Sequence, residues 1–222
     1  MSARQAAVIV DYQNVHLRGH ERFCGERPLH ECLISPGAFA RRLLDVRAAA
    51  GRGRAELVEV QVFRGLPEPE YDLVGYQRNL AQQCEWETDP LVTVTHRPLR
   101  YRVVQQRYST GPGPALQSDV EAREKGIDVL CALAVISAAD SDAIDLVIIA
   151  SHDSDLDPAV AAVQRAHRAE IEAFQWVGGR APDHGRLHGD GRLWCTRLGE
   201  RDFAACGDSR DYSAPQQIRR AG

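Results

Sequence analysis

The apolar run Leu146-Val-Ile-Ile-Ala150, followed at once by Ser151-His-Asp-Ser-Asp155, limits what this chain can fold into more than any other stretch. A continuous, β-branched segment with no polar alternation fits a parallel strand covered on both faces. Behind it stand Asp157 and Pro158, the pair expected at an N-cap and a first helical position. Strand, acidic turn and helix in that order place Asp153 and Asp155 at the carboxyl rim of an α/β sheet, where ligands of such folds bind.

The remaining chain supplies elements of the same kind. Residues 6–10 predict a first strand that ends in Asp11-Tyr-Gln-Asn14, and 16–34 mixes Gly, Arg, His and Cys without a period, as a loop or lid would. Ser35-Pro36 is an N-cap with Pro at N1, opening a helix that gives out near 48–51. Strands are expected over 57–63 and 91–95, with a helix over 69–84 between them. Residues 99–104 alternate basic and apolar side chains like a half-exposed strand, and 110–114 is a Pro/Gly loop. A helix over 125–137 follows; Ser118-x-x-Glu121 resembles a capping box that would start it earlier, whereas Gly126 opposes that. A helix over 158–167, a strand over 169–176, a polar loop over 178–191 and a closing segment with room for a short helix and a last strand complete the chain.

Strands alternating with helices call for a mostly parallel central sheet with helices on both faces and right-handed crossovers. At 222 residues the chain suits one core, expected over 5–205, with 206–222 as a disordered tail. The apolar run at 6–10 is too short for a signal peptide, and nothing approaches ~18 apolar residues, so a cytoplasmic protein without a membrane role is expected. A net charge of −4 argues against a surface that grips polyanions everywhere and leaves room for a local basic groove. The six cysteines contain no C-x-x-C pair, and reduced thiols are the simpler reading. Cys24 and Cys32 with His20 and His30 could make a zinc site, although the spacing matches no standard pattern.

The chemistry lies in the carboxylates. Asp11 follows the first strand, Asp153 and Asp155 follow the later one, and Asp128 opens a helix beside Lys125-Gly126. Strand ends of a parallel sheet share one rim, so Asp11 can meet Asp153 and Asp155 there. Carboxylates gathered in this way repel one another, and a divalent cation is the usual remedy. All-oxygen donors favour Mg²⁺ or Mn²⁺, and such a site suits phosphodiester hydrolysis by a metal-activated water. Each residue also has a plainer reading. Asp11 could bind backbone amides, Asp155 could cap a helix, Asp128 could complement a helix dipole and Asn14 could be a turn residue.

Val8-Ile-Val-Asp-Tyr-Gln-Asn14, Glu124-Lys-Gly-Ile-Asp128 and Ala150-Ser-His-Asp-Ser-Asp155 resemble the three signature blocks of the NYN domain family, within the PIN-like nuclease superfamily. The resemblance extends to Arg64-Gly-Leu-Pro67 and Arg97-Pro-Leu-Arg-Tyr-Arg102 and covers about residues 5–205. It implies a PIN-like three-layer αβα fold and a metal-dependent ribonuclease site. Carried over by position, Asp11, Asp128, Asp153 and Asp155 would be the catalytic metal ligands, and Asn14 would orient Asp11 or touch substrate. Ser151, His152 and Ser154 would form the turn beside the substrate. Two positions depart from the pattern. Ala134 stands where many relatives carry a second helix aspartate, which would reduce the site to one tight ion, and His152 stands where glycine is common, as a spectator or a substrate contact.

A surface for the phosphate backbone is best sought in His96, Arg97, Arg100, Arg102 and Arg107, interleaved with Tyr101 and Tyr108. Arginines would hold phosphates and tyrosines would stack on exposed bases, the mode suited to single-stranded RNA. A solvated edge strand is the alternative. Lys125 would hold phosphate or balance the acidic cluster. A PIN-like module that binds RNA or a partner without cutting also fits, and so does a homodimer. A phosphatase of the haloacid dehalogenase type fits poorly, because Asp11-Tyr12-Gln13 lacks the second aspartate of its D-x-D block.

Overall fold

The computed structural model describes residues 3–108, 115–180 and 185–212, with side chains except at 105–108 and 115–119. The first half contains β1 (Arg4–Asp11), α1 (Tyr12–Phe23), β2 (Leu33–Ile34), α2 (Pro36–Arg47), β3 (Ala55–Leu66), α3 (Leu73–Trp86) and β4 (Val92–Pro98). Next come β5 (Arg100–Tyr108), β6 (Ala115–Arg123), α4 (Ile127–Asp140), β7 (Leu146–Ala150) and α5 (Asp157–Ala166). The chain closes with β8 (Glu170–Trp176), β9 (Trp194–Leu198), α6 (Glu200–Ala205) and β10 (Gly207–Asp208).

The central sheet has six strands in the order β4-β3-β1-β7-β8-β9, every neighbouring pair parallel. From β1 the chain builds outward through β3 to β4, then returns to the other side of β1 and builds through β7 and β8 to β9. Alternation along β1 divides the interior in two. Ala6, Val8 and Val10 join Tyr12, Val15, Phe39, Leu43, Trp86 and Phe203, while Ala7 and Ile9 join Ile127, Cys131, Val135, Val160 and Val163. Helices α1, α2, α3 and α6 thus cover one face and α4 and α5 the other, a three-layer αβα sandwich. All five residues of β7 are buried, as its unbroken apolar pattern requires. Among the described residues no helix is long and apolar enough to cross a membrane.

Four local features differ from the sequence reading. Residues 12–23 form α1 and not a lid; its buried side holds Tyr12, Val15, His16, Gly19 and Arg22, and the polar members of that stripe hide its helical period. Ser118-x-x-Glu121 lies in β6, which pairs antiparallel with β5 as a separate two-stranded ribbon from Arg100↔Arg123 to Tyr108↔Ala115. The loop expected at 110–114 lies outside the described residues. Residues 206–212 are not a loose tail: β10 pairs with β2, and Asp208 is buried, accepting from Trp86 Nε1 at 2.9 Å and Tyr212 Oη at 2.6 Å. Residues 213–222 of the expected tail lie outside the described residues. Asp157 is the first residue of α5 with no side-chain cap bond, and its Oδ1 instead accepts from the His188 N–H at 2.8 Å.

One ion pair is sealed inside the fold. Arg47, at the end of α2, grips Glu172 of β8 in a bidentate fork, with Nε to Oε2 at 2.6 Å and Nη2 to Oε1 at 2.9 Å. The remaining Nη1 donates to the Arg52 and Gly53 carbonyls at 3.1 and 3.0 Å, and Arg52 donates a further bond to Glu172 at 3.0 Å. Removing one partner strands a buried charge, so Arg47→Met should lower stability by ~3–5 kcal/mol in urea denaturation. Adding Glu172→Leu should recover much of that loss; a single variant as stable as the parent would show the pair to be dispensable.

Candidate functional site

The carboxyl ends of β1 and β7 flank the point where strand order reverses, the crevice in which open parallel sheets bind ligands. Asp11 ends β1 and caps α1, its Oδ1 accepting from the Asn14 N–H at 3.2 Å. Across the crevice, Ser151 Oγ donates to Asp11 Oδ2 at 3.2 Å and accepts from the Asp153 N–H at 3.1 Å. Asp153 Oδ1 in turn accepts from the Asp155 N–H at 3.0 Å, which closes a 3₁₀ turn over Ser154–Leu156. The acidic turn is therefore laced to the end of the neighbouring strand.

His152 is part of that lacing. Its N–H donates to Asn14 Oδ1 at 2.9 Å, and the Trp176 N–H points at its Nε2 at 3.3 Å. An imidazole nitrogen that accepts carries no proton, so the hydrogen sits on Nδ1, which faces Asn14 Oδ1 at 3.2 Å. The ring stands edge-on to Phe174, with centroids 5.0 Å apart. His152 joins β8, the turn and α1, and Asn14 is the acceptor that receives it.

Burial dominates the electrostatics. Asp11 is 6% exposed, and its pKa is pushed up to about 7, chiefly by desolvation. The charges of Glu124 and Asp153 raise it further, while the Asn14 N–H and the Ser151 hydroxyl pull it down. Glu124, which the sequence offers only as the first residue of the Glu124-Lys-Gly-Ile-Asp128 block, thereby becomes a further candidate. Burial also raises its pKa, opposed by the Gly65 N–H that it accepts and by Arg64. Asp128, in the first turn of α4, belongs to the same field: the buried Cys131 thiol is pushed up by burial and then by Asp11, Glu124 and Asp128. Asp153 is half-buried, and Ser154 and Asp155 are exposed at the outer edge. Ala134 points into the apolar layer under α4.

The donor set is all oxygen, which suits a hard divalent ion. The expected four-aspartate ligand cage is, however, an open rim: among the described residues only His20, Cys24 and Cys32 bring three ligand atoms within 4.8 Å of one another. An ion that keeps several waters in its shell can bridge such spacing.

Basic groups border the rim. Gly126 sits at φ +80 at the N-cap of α4, and a Cβ there would lie 3.2 Å from the Arg97 guanidinium carbon. Arg97 therefore lies against the start of α4, next to exposed Lys125, with Asp128 in the first turn of that helix. Arg100 and Arg102 are exposed on β5, opposite Arg123 and Glu121. Tyr101 does not present a free ring: it stacks on Tyr71 with centroids 4.0 Å apart, and its hydroxyl accepts from the Glu68 N–H at 2.9 Å. His96 is half-buried and pushed down to about 4 by burial and then by Arg64. The Arg107 and Tyr108 side chains lie outside the described residues.

No protein-family model matches the chain, and no curated protein does. A crystal structure of a protein of unknown function from Vibrio parahaemolyticus RIMD 2210633 is similar at 17% identity over 93% of this chain and 90% of that one, with a TM-score of 0.41. A likeness at that level carries no functional argument, and fold and rim together define the chain only as a three-layer α/β protein with an acidic crevice.

The sign of the Asp11 shift fixes a pH dependence. Folded, Asp11 keeps its proton up to about 7, whereas unfolded it ionises near 3.8. Its contribution to stability therefore falls as pH rises from about 4 to about 7. Without divalent metal, Asp11→Asn, which preserves the cap, should gain on the parent protein by up to ~4 kcal/mol across that interval in urea denaturation. Parallel pH profiles for the two proteins would rule out a buried, protonated Asp11.

Proposed function

We propose that this protein is a divalent-metal-dependent ribonuclease of the NYN, PIN-like class that hydrolyses phosphodiester bonds of single-stranded RNA in the cytoplasm. The observation that carries the reading is Asp11: a buried carboxyl with its pKa near 7, in the field of Glu124 and Asp153 where the strand order reverses. Such a group is unfavourable when ionised alone and favourable beside a cation. Asp11, Glu124, Asp128 and Asp153 would hold Mg²⁺ or Mn²⁺, with Asp155 at the outer edge. A bound ion would supply Lewis-acid activation of water and neutralise the phosphate.

The chain's own groups do the rest. Ser151 and the Asn14 N–H hold the Asp11 carboxylate in one orientation. Arg97 and Lys125 flank the N-terminus of α4, where a phosphate also meets free backbone N–H groups. Arg100 and Arg102 extend that charge along the ribbon, where they can follow the backbone of an unpaired strand. The open spacing of the carboxylates and the apolar Ala134 favour one other reading, an RNA-binding module that does not cut.

Purified protein should cleave unstructured RNA only with Mg²⁺ or Mn²⁺, and Asp153→Asn should abolish cleavage. In a calorimetric Mn²⁺ titration, Glu124→Gln should weaken binding by roughly 10–100-fold. Below about pH 7 affinity should climb by about tenfold per pH unit as Asp11 gives up its proton. Cleavage that survives excess chelator, or Asp153→Asn, would sink the hydrolytic mechanism. Metal-independent RNA binding with no product would select the module instead.

A further inference from the structure

A second cluster of ligating groups lies at the far end of α1, away from the carboxylate rim. His16, His20 and Cys24 follow at four-residue spacing, so the helix turns all three to one side. Cys24 is the C-cap, its N–H bonded to the His20 carbonyl at 2.9 Å. The chain then reverses at Gly25, φ +62, and a 3₁₀ turn over Leu29–Glu31 returns it, with the Cys32 N–H bonded to the Leu29 carbonyl at 3.2 Å. One ligand atom from each of His20, Cys24 and Cys32 thereby lies within 4.8 Å of the other two. The expected companion His30 is exposed and is not part of the group.

The surroundings suit a metal. Both thiols are buried, at 6% and 4% exposure, while His20 is half-buried and open to solvent on one side. His20 Nε2 lies 2.6 Å from the Arg27 carbonyl oxygen, a contact that places the proton on Nε2 and leaves Nδ1 for an ion. A carbonyl behind the imidazole is the usual support for a ligating histidine. Burial and the neighbouring Cys32 push the Cys24 thiol up, and the Arg27 guanidinium, 3.6 Å from Sγ, pulls it part of the way back. His16, one turn earlier with its ring 6.3 Å from that of His20, keeps a buried Nε2 that has no hydrogen-bond partner among the described residues.

We propose that His20, Cys24 and Cys32 bind a Zn²⁺ ion that fastens the end of α1 to the segment entering β2. Two sulfurs and an imidazole are borderline-soft donors, which select zinc over the hard ions that suit the carboxylate rim. The two sites differ in metal class and lie at opposite ends of one helix, so the zinc site stands or falls independently of RNA cleavage.

The test is a zinc titration of the full chain against a chromophoric chelator, paired with alkylation of the wild-type protein read by peptide mass spectrometry. One tight equivalent of zinc is expected, lost in the Cys24→Ser, Cys32→Ser double variant. Zinc should slow alkylation of Cys24 and Cys32 by about tenfold or more while the exposed Cys84 reacts as before. Co²⁺ in place of zinc should give a thiolate charge-transfer band. Alkylation of the two cysteines that is indifferent to zinc, or a zinc equivalent that survives in the double variant, would overturn the assignment.

Discussion

A parallel sheet that grows outward from an inner strand in both directions must reverse its strand order somewhere, and here the reversal falls between β1 and β7. Much else follows from that constraint. The connections leaving these two strands depart to opposite faces, so their carboxyl ends are left uncovered by either helical layer. Asp11 and Ser151 meet in that gap although they are far apart in sequence, and their hydrogen bond spans it. The same geometry lets α1 start at Asp11 on one face while α4, carrying Asp128, starts on the other.

Two buried ionisable assemblies show how differently one fold can treat charge. Arg47 and Glu172 are almost wholly inaccessible, yet every strong donor and acceptor is answered, by a bidentate fork, two carbonyls and Arg52. Asp11 is nearly as buried, and its neighbours Glu124 and Asp153 carry the same sign. The first arrangement is complete and ties helix to strand. The second sets like charges beside a buried carboxyl whose only counterweights are the Asn14 N–H and the Ser151 hydroxyl, and incompleteness of that kind is characteristic of sites that await a ligand.

Features decided by neighbours in sequence were legible, and those decided across the fold were not. β7 followed from its unbroken apolar run, and α2 from Ser35-Pro36, where Ser35 does accept from the Ala38 N–H. The α1 stripe was obscured because it buries His16, Gly19 and Arg22; Gly19 is required there, since a Cβ would lie 2.5 Å from the Phe203 ring. Ser118-x-x-Glu121 has a local helix signature, but pairing with β5 overrides it. Glu124 was passed over because Gly65, the group it bonds, is distant in sequence. Cys24 and Cys32 were visible as residues, whereas the turn that gathers them with His20 has no spacing rule.

The wide separation of the two rim strands also has a consequence for synthesis. β1 leaves the ribosome before the other strands of this sheet, and its partner on one side, β7, comes about 140 residues later. At ordinary elongation rates that gap lasts roughly 7–30 s. Throughout it, β1 has only β3 to pair with, and its other edge is an apolar ladder without a mate. The crevice therefore cannot assemble piecemeal as the chain emerges. A nascent or truncated chain ending before β7 has Asp11 but no acidic turn opposite it, so it exposes an unpaired apolar edge beside half a crevice.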